Sequence, residues 1–524
     1  SASSLAGREP SVSRMRDLDS LVVEGLTRLY DTQNPDGGWS WFPRGRSDSY
    51  MTAYVFWGLQ LTREAGYNVN ITTLEKAESY LSGQLVAEGI RKADQVWILH
   101  ALVSRNLGEE ERRPSREEAR VFAELWTNRE HLNTFSTALL ALSAHYCGLT
   151  EEAEKLARSL KNGAIVDAAP QKSSLLGAGA VGAFHNLTGQ TVHWGGAQRF
   201  YRWSDGGVEA TAFALRAFLR ILPDDPYVEG AAQWLLQNRR GDRWNNTKDT
   251  AIAVLALSEL VKIRKELSTD PVRFSLSLNG ESVFQGQMTK ADWLTGGRIE
   301  NLDTALLKDG ENTLTLKRID GSAPLYFSVQ ANYFTASETI PETGNEIFVK
   351  RRFFRLRDVP TLLGGDKVER LPFVPGEAVE SGERLEVVLL VETKNDYRYV
   401  MLENWKPAGF EATSQRSGYF ATLRQLKPDA NWTDDVKELP PEAFTGRTLS
   451  GYQEFRDTRV ATFIARLPQG RWEIRYELRA EAPGNYFNLP LMGEAMYIPE
   501  VRANSQSAAI RVAGGNGEVV EVDE

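Results

Sequence analysis

The stretch Gln33-Asn34-Pro35-Asp36-Gly37-Gly38-Trp39 separates two segments, 18–29 and 51–61, whose apolar residues recur at spacings of three and four. This spacing is typical of amphipathic helices. A Gln at a helix end can bond the exposed carbonyl groups there, Gly permits a left-handed turn, and Trp can pack across the turn onto the next helix. The stretch therefore predicts a helical hairpin.

The same apolar spacing recurs throughout residues 12–268, and this region is predicted to be all-α. Helices are predicted at 18–29, 51–61, 74–85, 96–103, 119–125, 135–142, 153–160, 210–222, 231–236 and 251–261. Small residues recur at the start of every second helix, with a period near 40 that is typical of repeated helical hairpins. One larger gap is explained by an insertion at 161–207, and five hairpins are expected.

The Gln-x-x-x-Gly-x-Trp motif of residues 33–39 occurs twice. Gln33, Gly37 and Trp39 form the first copy, and Gln237, Gly241 and Trp244 form a second copy that is one residue longer. This motif recurs in α/α toroids, which are closed rings of helical hairpins. It therefore predicts an architecture and not an activity.

The hydrophobic period changes from helical to alternating at about residue 269. Val272 to Leu278 alternates strictly and is followed by Asn279-Gly280, a hairpin signal. Strands are predicted at 272–278, 313–316, 326–329, 385–391, 399–402, 460–465, 472–478 and 508–512. The predicted fold class is a multidomain α plus β protein, in which an α/α toroid of helical hairpins precedes all-β sandwich domains.

Four regions follow from these patterns. The predicted toroid covers 12–268, a small β unit covers 269–338, a C-terminal β-sandwich covers 339–515, and an acidic tail covers 516–524.

Composition excludes several kinds of function. The chain has 524 residues, of which 42% are hydrophobic and 25% charged, and its single Cys excludes a disulfide framework. A net charge of -9 gives no basic footprint for nucleic acid. The sequence has no apolar run near the roughly 20 residues that a membrane helix needs. No cofactor is expected.

The candidate catalytic motifs are incomplete. A Gly-x-Gly-x-x-Gly match at 177–182 lacks the preceding strand and following helix of a dinucleotide site. Asp224-Asp225 lacks the third carboxylate of a diphosphate-binding magnesium cluster. His145 and Cys147 are two positions apart on a predicted helix and point to different faces, so no metal site is expected.

The order of the parts resembles the C-terminal part of the bacterial α2-macroglobulin family. The resemblance is carried in the toroid by 29–41, 49–54 and 240–251. In the terminal domain it is carried by 402–411, 456–460, 476–480 and Glu494-Ala495-Met496-Tyr497-Ile498-Pro499-Glu500. It implies a thioester-type toroid, part of a β domain that flanks the toroid, and a terminal macroglobulin-like receptor-binding domain.

The resemblance also implies a function, that of a non-catalytic endopeptidase inhibitor. In this family a bait segment is cut and the protein then changes shape and holds the protease. In many members a Cys-x-Glu-Gln thioester is kept from water against the terminal sandwich. Met496 and Tyr497 lie in the segment expected to cover the thioester, and the alternative is that both are core residues of the last strands.

Partners and location follow from the same resemblance. The implied partners are proteases, captured by the full-length protein, and upstream domains of the same protein. The implied location is the periplasm or the cell envelope, reached in the full-length protein through an N-terminal membrane or lipid anchor outside this sequence.

The sequence departs from the family pattern at its one cysteine. Cys147 continues as Gly148-Leu149-Thr150-Glu151-Glu152 and lies in the third hairpin instead of the first. Cys147 therefore cannot form the thioester. Two explanations are open: the first toroid hairpin, where the motif belongs, lies upstream of Ser1, or the chain is a thioester-lacking member of the bacterial branch. Five hairpins against about six in a toroid favour the first explanation.

Two other classes of function remain open. One is an α/α toroid enzyme, a cyclase, transferase or lyase with β appendages, which would gather carboxylates and His in the toroid centre where an inhibitor would have aromatic residues. The other is a surface adhesion module, which an exposed aromatic or charged patch away from the toroid–sandwich interface would favour.

Overall fold

The structure is a computed structural model. It describes residues 12–104, 113–168, 175, 190–195, 207–239, 243–264, 270–289, 292, 298–321, 325, 327, 329, 339–360, 366–373, 377–413, 419–430 and 438–514. The acidic tail at 516–524 and the glycine motif at 177–182 lie outside the described residues. Half of the strand predicted at 326–329 also lies outside them, and its two described residues, Phe327 and Val329, do not lie in a strand.

The N-terminal half is helical. Its helices are α1 Val12–Asp31, α2 Ser49–Glu64, α3 Ile71–Leu85, α4 Lys92–Val103, α5 Arg116–Thr127, α6 Thr134–Tyr146, α7 Thr150–Ser159, α8 Gly207–Ile221, α9 Tyr227–Gln237 and α10 Thr247–Ile263. Every helix predicted from the apolar spacing overlaps one of these. Within the insertion between α7 and α8, β1 Ile165–Asp167 pairs with β2 Thr191–His193 in antiparallel orientation.

Polar residues define where several helices begin. The side chains of Asp48, Asn70, Asn133 and Asn246 accept hydrogen bonds from the first-turn amides of α2, α3, α6 and α10. These bonds satisfy N–H groups that have no partner within the helix. Ser115 begins α5 through a reciprocal capping box with Glu118.

The helices form two layers of an α/α toroid. The inner helices α2, α4, α6, α8 and α10 pack in succession, and α3, α5, α7 and α9 lie outside them. The inner helices α4 and α6 are buried around nearly their whole circumference, whereas the outer helices α5 and α7 bury only one face. Aromatic rings fill the centre: Trp97 contacts Trp57, Phe135 and Phe213 at centroid distances of 5.6–6.1 Å.

The C-terminal half is built from strands. The first three, β3 Val272–Leu278, β4 Glu281–Met288 and β5 Leu314–Asp320, form an antiparallel sheet of their own with β3 in the middle. The remaining strands are β6 Thr343–Gly344, β7 Ile347–Pro360, β8 Asp366–Pro372, β9 Ala378–Glu380, β10 Arg384–Thr393, β11 Tyr397–Trp405, β12 Phe410–Ala412, β13 Tyr419–Leu426, β14 Phe444–Phe455, β15 Arg459–Leu467, β16 Gly470–Ala480, β17 Gly484–Asn488, β18 Leu491–Ala495, β19 Ile498–Asn504 and β20 Ala508–Ala513.

The large sheet folds over itself as a sandwich. Its strand order is β6-β19-β18-β11-β15-β14-β13-β16-β10-β7-β8, with β12 added beside β16, and β13 joins the two halves by pairing with both β14 and β16. Residues of both halves, such as Leu402 and Ile464 on one side and Val387 and Ile474 on the other, share one hydrophobic core. A three-stranded sheet, β17-β20-β9, contributes Ile510 and Val512 to this core.

Candidate functional site

The turn after α1 has the geometry that its motif predicts. Gln33 Nε2 donates to the carbonyl oxygens of Gly37 and Thr73 at 3.0 and 2.9 Å. Trp39 Nε1 donates to the oxygen of Leu29 near the end of α1 at 2.9 Å, and the backbone N–H of Trp39 donates to Thr52 Oγ1 at 2.9 Å. The tryptophan therefore ties the end of one helix to the first turn of the next.

The second copy repeats the contacts of the tryptophan. Trp244 Nε1 donates to Leu235 at 2.9 Å, and the backbone N–H of Trp244 donates to Thr250 Oγ1 at 3.0 Å. Gln237 is the half-buried last residue of α9. Gly241 lies outside the described residues.

A third copy, which the sequence motif did not reveal, is formed by Trp194. Its Nε1 donates to Leu160 at 2.7 Å and its backbone N–H donates to Thr211 Oγ1 at 3.1 Å. Gln95 makes the equivalent bond in the second repeat, from its side chain to Leu85 at 3.1 Å. The polar atoms of Gln33, Trp39, Trp194 and Trp244 are therefore occupied in joining helices.

The other candidate residues of the toroid do not form a catalytic site. Cys147 is half-buried at the C-terminal cap of α6, and His145 is exposed. Asp225 accepts from the backbone N–H of Tyr227 at 3.1 Å and pairs with Lys161 at 2.5 Å. Among the described residues, no group of three or more His, Cys, Asp or Glu side chains could hold a metal ion.

Met496 and Tyr497 lie at the turn between β18 and β19. Their exposed fractions are 44% and 72%, so the alternative that both are core residues is wrong. The backbone N–H of Met496 donates to the carbonyl of Tyr399 on β11 at 2.9 Å, and the rings of Tyr399 and Tyr497 meet edge to face at 5.2 Å. We call Tyr399, Met496 and Tyr497 the cover cluster.

Tyr399 is held in a strained conformation. Its φ is 55°, in the left-handed region that a bulky residue rarely adopts, and its side chain is 50% exposed. Strain of this kind typically costs about 1–3 kcal/mol and is concentrated at functional sites. Tyr399 was not singled out from the sequence.

Apolar side chains continue from the cover cluster across the same sheet face. Phe420, Tyr452, Phe463 and Met401 stand directly opposite one another on β13, β14, β15 and β11. Of these, Phe420 and Tyr452 are exposed. Directly opposed residues on one sheet face are near neighbours, so the row is a continuous apolar surface.

The toroid touches the sandwich beside the cover cluster. Asn238, just after α9, donates from Nδ2 to Asn395 Oδ1 at 2.9 Å. Asn395, just before β11, in turn donates to Glu346 at 3.1 Å, and Tyr397 donates to the same carboxylate. Burial raises the pKa of Glu346, an effect that these two hydrogen bonds partly oppose. Tyr399 belongs to the same end of β11, so the cover cluster lies at the end of the sandwich that meets the toroid.

A second contact involves Leu175 of the toroid insertion. It is buried in an apolar pocket on the outer face of the sandwich, lined by Phe354, Val388, Leu390 and Phe444. A buried apolar side chain that one unit packs among apolar residues of another can act as an interface anchor.

Residues 347–500 match the family model described as the bacterial alpha-2-macroglobulin MG10 domain. The chain is 24% identical to alpha-2-macroglobulin of Escherichia coli strain K12 over 91% of its own length and 25% of that relative. It is 38% identical to alpha-2-macroglobulin of Thermotoga maritima over 86 residues, 16% of this chain and 6% of that protein. The chain therefore spans about a quarter of the E. coli relative.

Two solved structures illustrate the comparison. A native E. coli alpha-2-macroglobulin structure spanning domain MG7 to the C-terminus covers 97% of this chain and 70% of that one, at 17% identity and a TM-score of 0.35. Salmonella alpha-2-macroglobulin reacted with methylamine covers 97% of this chain and 28% of that one, at 17% identity and a TM-score of 0.36.

A helical toroid followed by a sandwich that matches MG10 defines the class as a multidomain macroglobulin-type protein. The chain belongs to the bacterial α2-macroglobulin family. Among the described residues, no helix is both long enough and apolar enough to cross a membrane.

Proposed function

We propose that this chain is the C-terminal part of a protease-trapping inhibitor, in which the toroid docks on the terminal sandwich and the cover cluster protects a thioester. Membership of the α2-macroglobulin family supports the trap. The single observation that carries the protective role is the exposed cover cluster at the end of the sandwich that contacts the toroid. Exposed aromatic side chains at such a place can exclude water from a reactive bond.

The thioester itself is proposed to lie outside this chain or to be absent. Cys147 lacks the Glu-Gln that the family motif requires. It is placed at a helix cap of the third hairpin, in a different unit from the cover cluster. Cys147 has no proposed role.

Partners and location belong to the same proposal. The full-length protein would capture proteases and contact its own upstream domains, in the periplasm or cell envelope. We also propose the division into a toroid at 12–268, part of a flanking β domain at 269–338, and a terminal sandwich at 339–515. The three-stranded sheet β4-β3-β5 supports the middle unit, because it shares no strand with the sandwich.

The toroid centre favours the inhibitor over the toroid enzyme. The described residues at the centre include the aromatic rings of Trp57, Trp97 and Phe213. Two titratable groups on the inner helices, His100 and Glu259, are buried. An enzyme would instead need convergent titratable groups that a substrate can reach.

The test uses the full-length protein. After limited cleavage by a protease, that protease should stay bound, and pretreatment with methylamine should prevent covalent capture if the full-length sequence contains Cys-x-Glu-Gln. A full-length protein that is neither cut in a bait segment nor retains protease would overturn the trap. The exposed Phe420 and Tyr452 would then make the adhesion module the next hypothesis to examine.

The proposed protective role of the cover cluster is tested by substitutions within the cluster. Tyr497→Gly and Tyr399→Gly should each raise the rate of thiol release by methylamine by about tenfold, which corresponds to about 1.4 kcal/mol of protection. Phe420→Ser, an exposed aromatic of the same sheet face outside the cluster, is the control and should leave that rate unchanged. Equal rates in all variants would contradict the protective role without affecting the trap.

A further inference from the structure

Polar side chains come together in the C-terminal halves of the inner helices, away from the cover cluster. This core polar cluster consists of Trp57 and Gln60 on α2, His100 on α4, Tyr146 on α6, Arg216 and Arg220 on α8, and Glu259 on α10. The His100 ring lies 6.2 Å from that of Trp57 and 5.9 Å from that of Tyr146. Arg216 Cζ lies 5.3 Å from the Trp57 ring.

Much of the hydrogen-bonding capacity of the cluster is unused. Both ring nitrogens of His100, Nη1 of Arg216 and Nε1 of Trp57 have no hydrogen-bond partner within the described part of the chain. His100 is 0% exposed and Arg216 is 1% exposed. Leaving such a buried group unsatisfied costs about 1–3 kcal/mol, and more when the group is charged. Native proteins therefore usually supply a water molecule or an ion at such places.

The charges of the cluster favour an ion over a water molecule at this place. Arg216 Nε donates to Glu259 at 2.8 Å, and Arg220 pairs with the same carboxylate, so two cations share one buried anion. Glu64 also lies near Arg216, but it is exposed to solvent, which screens its charge. Burial, assisted by the two guanidinium groups, keeps the pKa of His100 well below its usual value, so His100 is neutral. The surroundings of His100 are therefore electrically positive.

Donors also outnumber acceptors beside His100. Arg216 Nη1, Trp57 Nε1, Arg220 Nε and one nitrogen of the neutral imidazole can donate. Gln60 Oε1, Glu259 Oε1 and the other imidazole nitrogen can accept, and the Tyr146 hydroxyl can do either. A water molecule needs both donors and acceptors around it, but an anion needs donors only.

We propose that the core polar cluster binds one small inorganic monoanion of halide size, held by the N–H groups of Arg216, Trp57 and His100. The ion would balance the unmatched guanidinium charge and satisfy the buried donors, so its role is to stabilise the toroid. The proposal does not depend on protease trapping.

The wild-type chain provides the first test. When sodium chloride replaces sodium gluconate at constant ionic strength, the melting temperature of the toroid should rise by about 5 °C and then saturate. A crystal grown in bromide should show an anomalous peak beside Arg216 and His100. A melting temperature that does not respond to halide, or a water molecule without bromide at this position, would overturn the proposal.

Variants distinguish halide binding at the core polar cluster from a general effect of salt on the melting temperature. His100→Phe keeps a buried ring without its nitrogens, and Arg216→Met removes the unmatched charge, so both should abolish the halide response. Arg158→Met on α7, which removes an exposed arginine paired with Glu154 at 2.9 Å, should keep it. An unchanged halide response in His100→Phe would refute the assignment. If both core variants fail to fold, the bromide experiment on the wild-type chain decides.

Discussion

Gly37 lies at a position where no other residue fits. Its φ is 90°, and a Cβ atom built on it would lie 2.3 Å from the carbonyl oxygen of Lys76. We expect Gly37→Ala to lower the free energy of unfolding by about 1–3 kcal/mol, measured by urea denaturation. Gly58→Ala, within α2 and with nothing within 4 Å of the new Cβ atom, should instead raise it by about 0.5–1 kcal/mol. Equal losses in the two variants would contradict this explanation of Gly37.

His193 should make stability depend on pH. Its ring stacks on Trp234 at 4.6 Å, and burial lowers its pKa from 6.5 to about 4, although Asp167 and Asp396 oppose the shift. Between these values the unfolded chain binds a proton that the folded chain does not. The free energy of unfolding should therefore fall as pH falls from 6.5 towards 4, by up to about 3 kcal/mol.

Two variants isolate this effect of pH. In urea denaturation series between pH 7 and pH 4, His193→Phe should flatten the dependence, because the variant has no imidazole to protonate. His131→Gln, at an exposed position, should leave it as in the wild type. Parallel curves for His193→Phe and the wild type would show that His193 is not responsible.

The candidate site could be predicted only in part from single residues. The resemblance pointed to Met496 and Tyr497, whose exposure at the β18–β19 turn leaves them available as a cover. Tyr399 carries no signal in the sequence, because its position beside Met496 and Tyr497 depends on the pairing of β11 with β18 and on a φ of 55°. Trp194 was missed as a motif residue because its loop to Thr211 is longer than that between Trp39 and Thr52.

The inner helices α8 and α10 are joined by a buried ion pair. Lys248 Nζ lies 2.7 Å from Glu209 Oε2, and the two side chains are 3% and 1% exposed. We expect Lys248→Met to lower the free energy of unfolding by about 3–5 kcal/mol, because the buried carboxylate loses its ammonium. The double variant Lys248→Met with Glu209→Leu should recover most of that loss. A double-mutant cycle from urea denaturation measures the coupling.

The control for this pair is an exposed one. Lys155 and Glu151, 3.5 Å apart on α7, have side chains that are 63% and 84% exposed. Lys155→Met should therefore change stability little. If Lys155→Met and Lys248→Met cost the same, burial is not what makes the α8–α10 pair important.

Helices and strands could be predicted from the sequence where a regular spacing of apolar residues determines them. The helical spacing located the ten α-helices of the described residues, and strict alternation located β3 with its observed bounds. β7 was not predicted, because Lys350-Arg351-Arg352 interrupts its apolar pattern. Arg351 is tolerated there because it donates to Asn404 at 2.7 Å and to the carbonyl of Leu489 at 2.8 Å, contacts that exist only after the sandwich has formed. Burial lowers the pKa of Arg351 to about 10.

At the scale of the whole molecule, the two described contacts between toroid and sandwich differ in kind. Asn238 and Asn395 form a neutral hydrogen bond, which contributes only about 0.5–1.5 kcal/mol and can exchange with water. Leu175 buries an apolar side chain in a pocket on the outer face of the sandwich. Full burial of such a side chain contributes about 1.5–3 kcal/mol, so Leu175 should dominate.

Leu175→Asp should therefore release the toroid from the sandwich while both remain folded. A carboxylate is poorly tolerated in a pocket lined by Phe354, Leu390 and Phe444, whereas it is well solvated outside, so the undocked arrangement gains population. The radius of gyration from small-angle X-ray scattering should rise, and far-UV circular dichroism should stay the same. Leu307→Asp, which introduces the same charge at a position that is 53% exposed in the small β unit, should leave the radius unchanged. An unchanged radius in Leu175→Asp would mean that other contacts hold the two units together, since this substitution removes the one apolar anchor described between them.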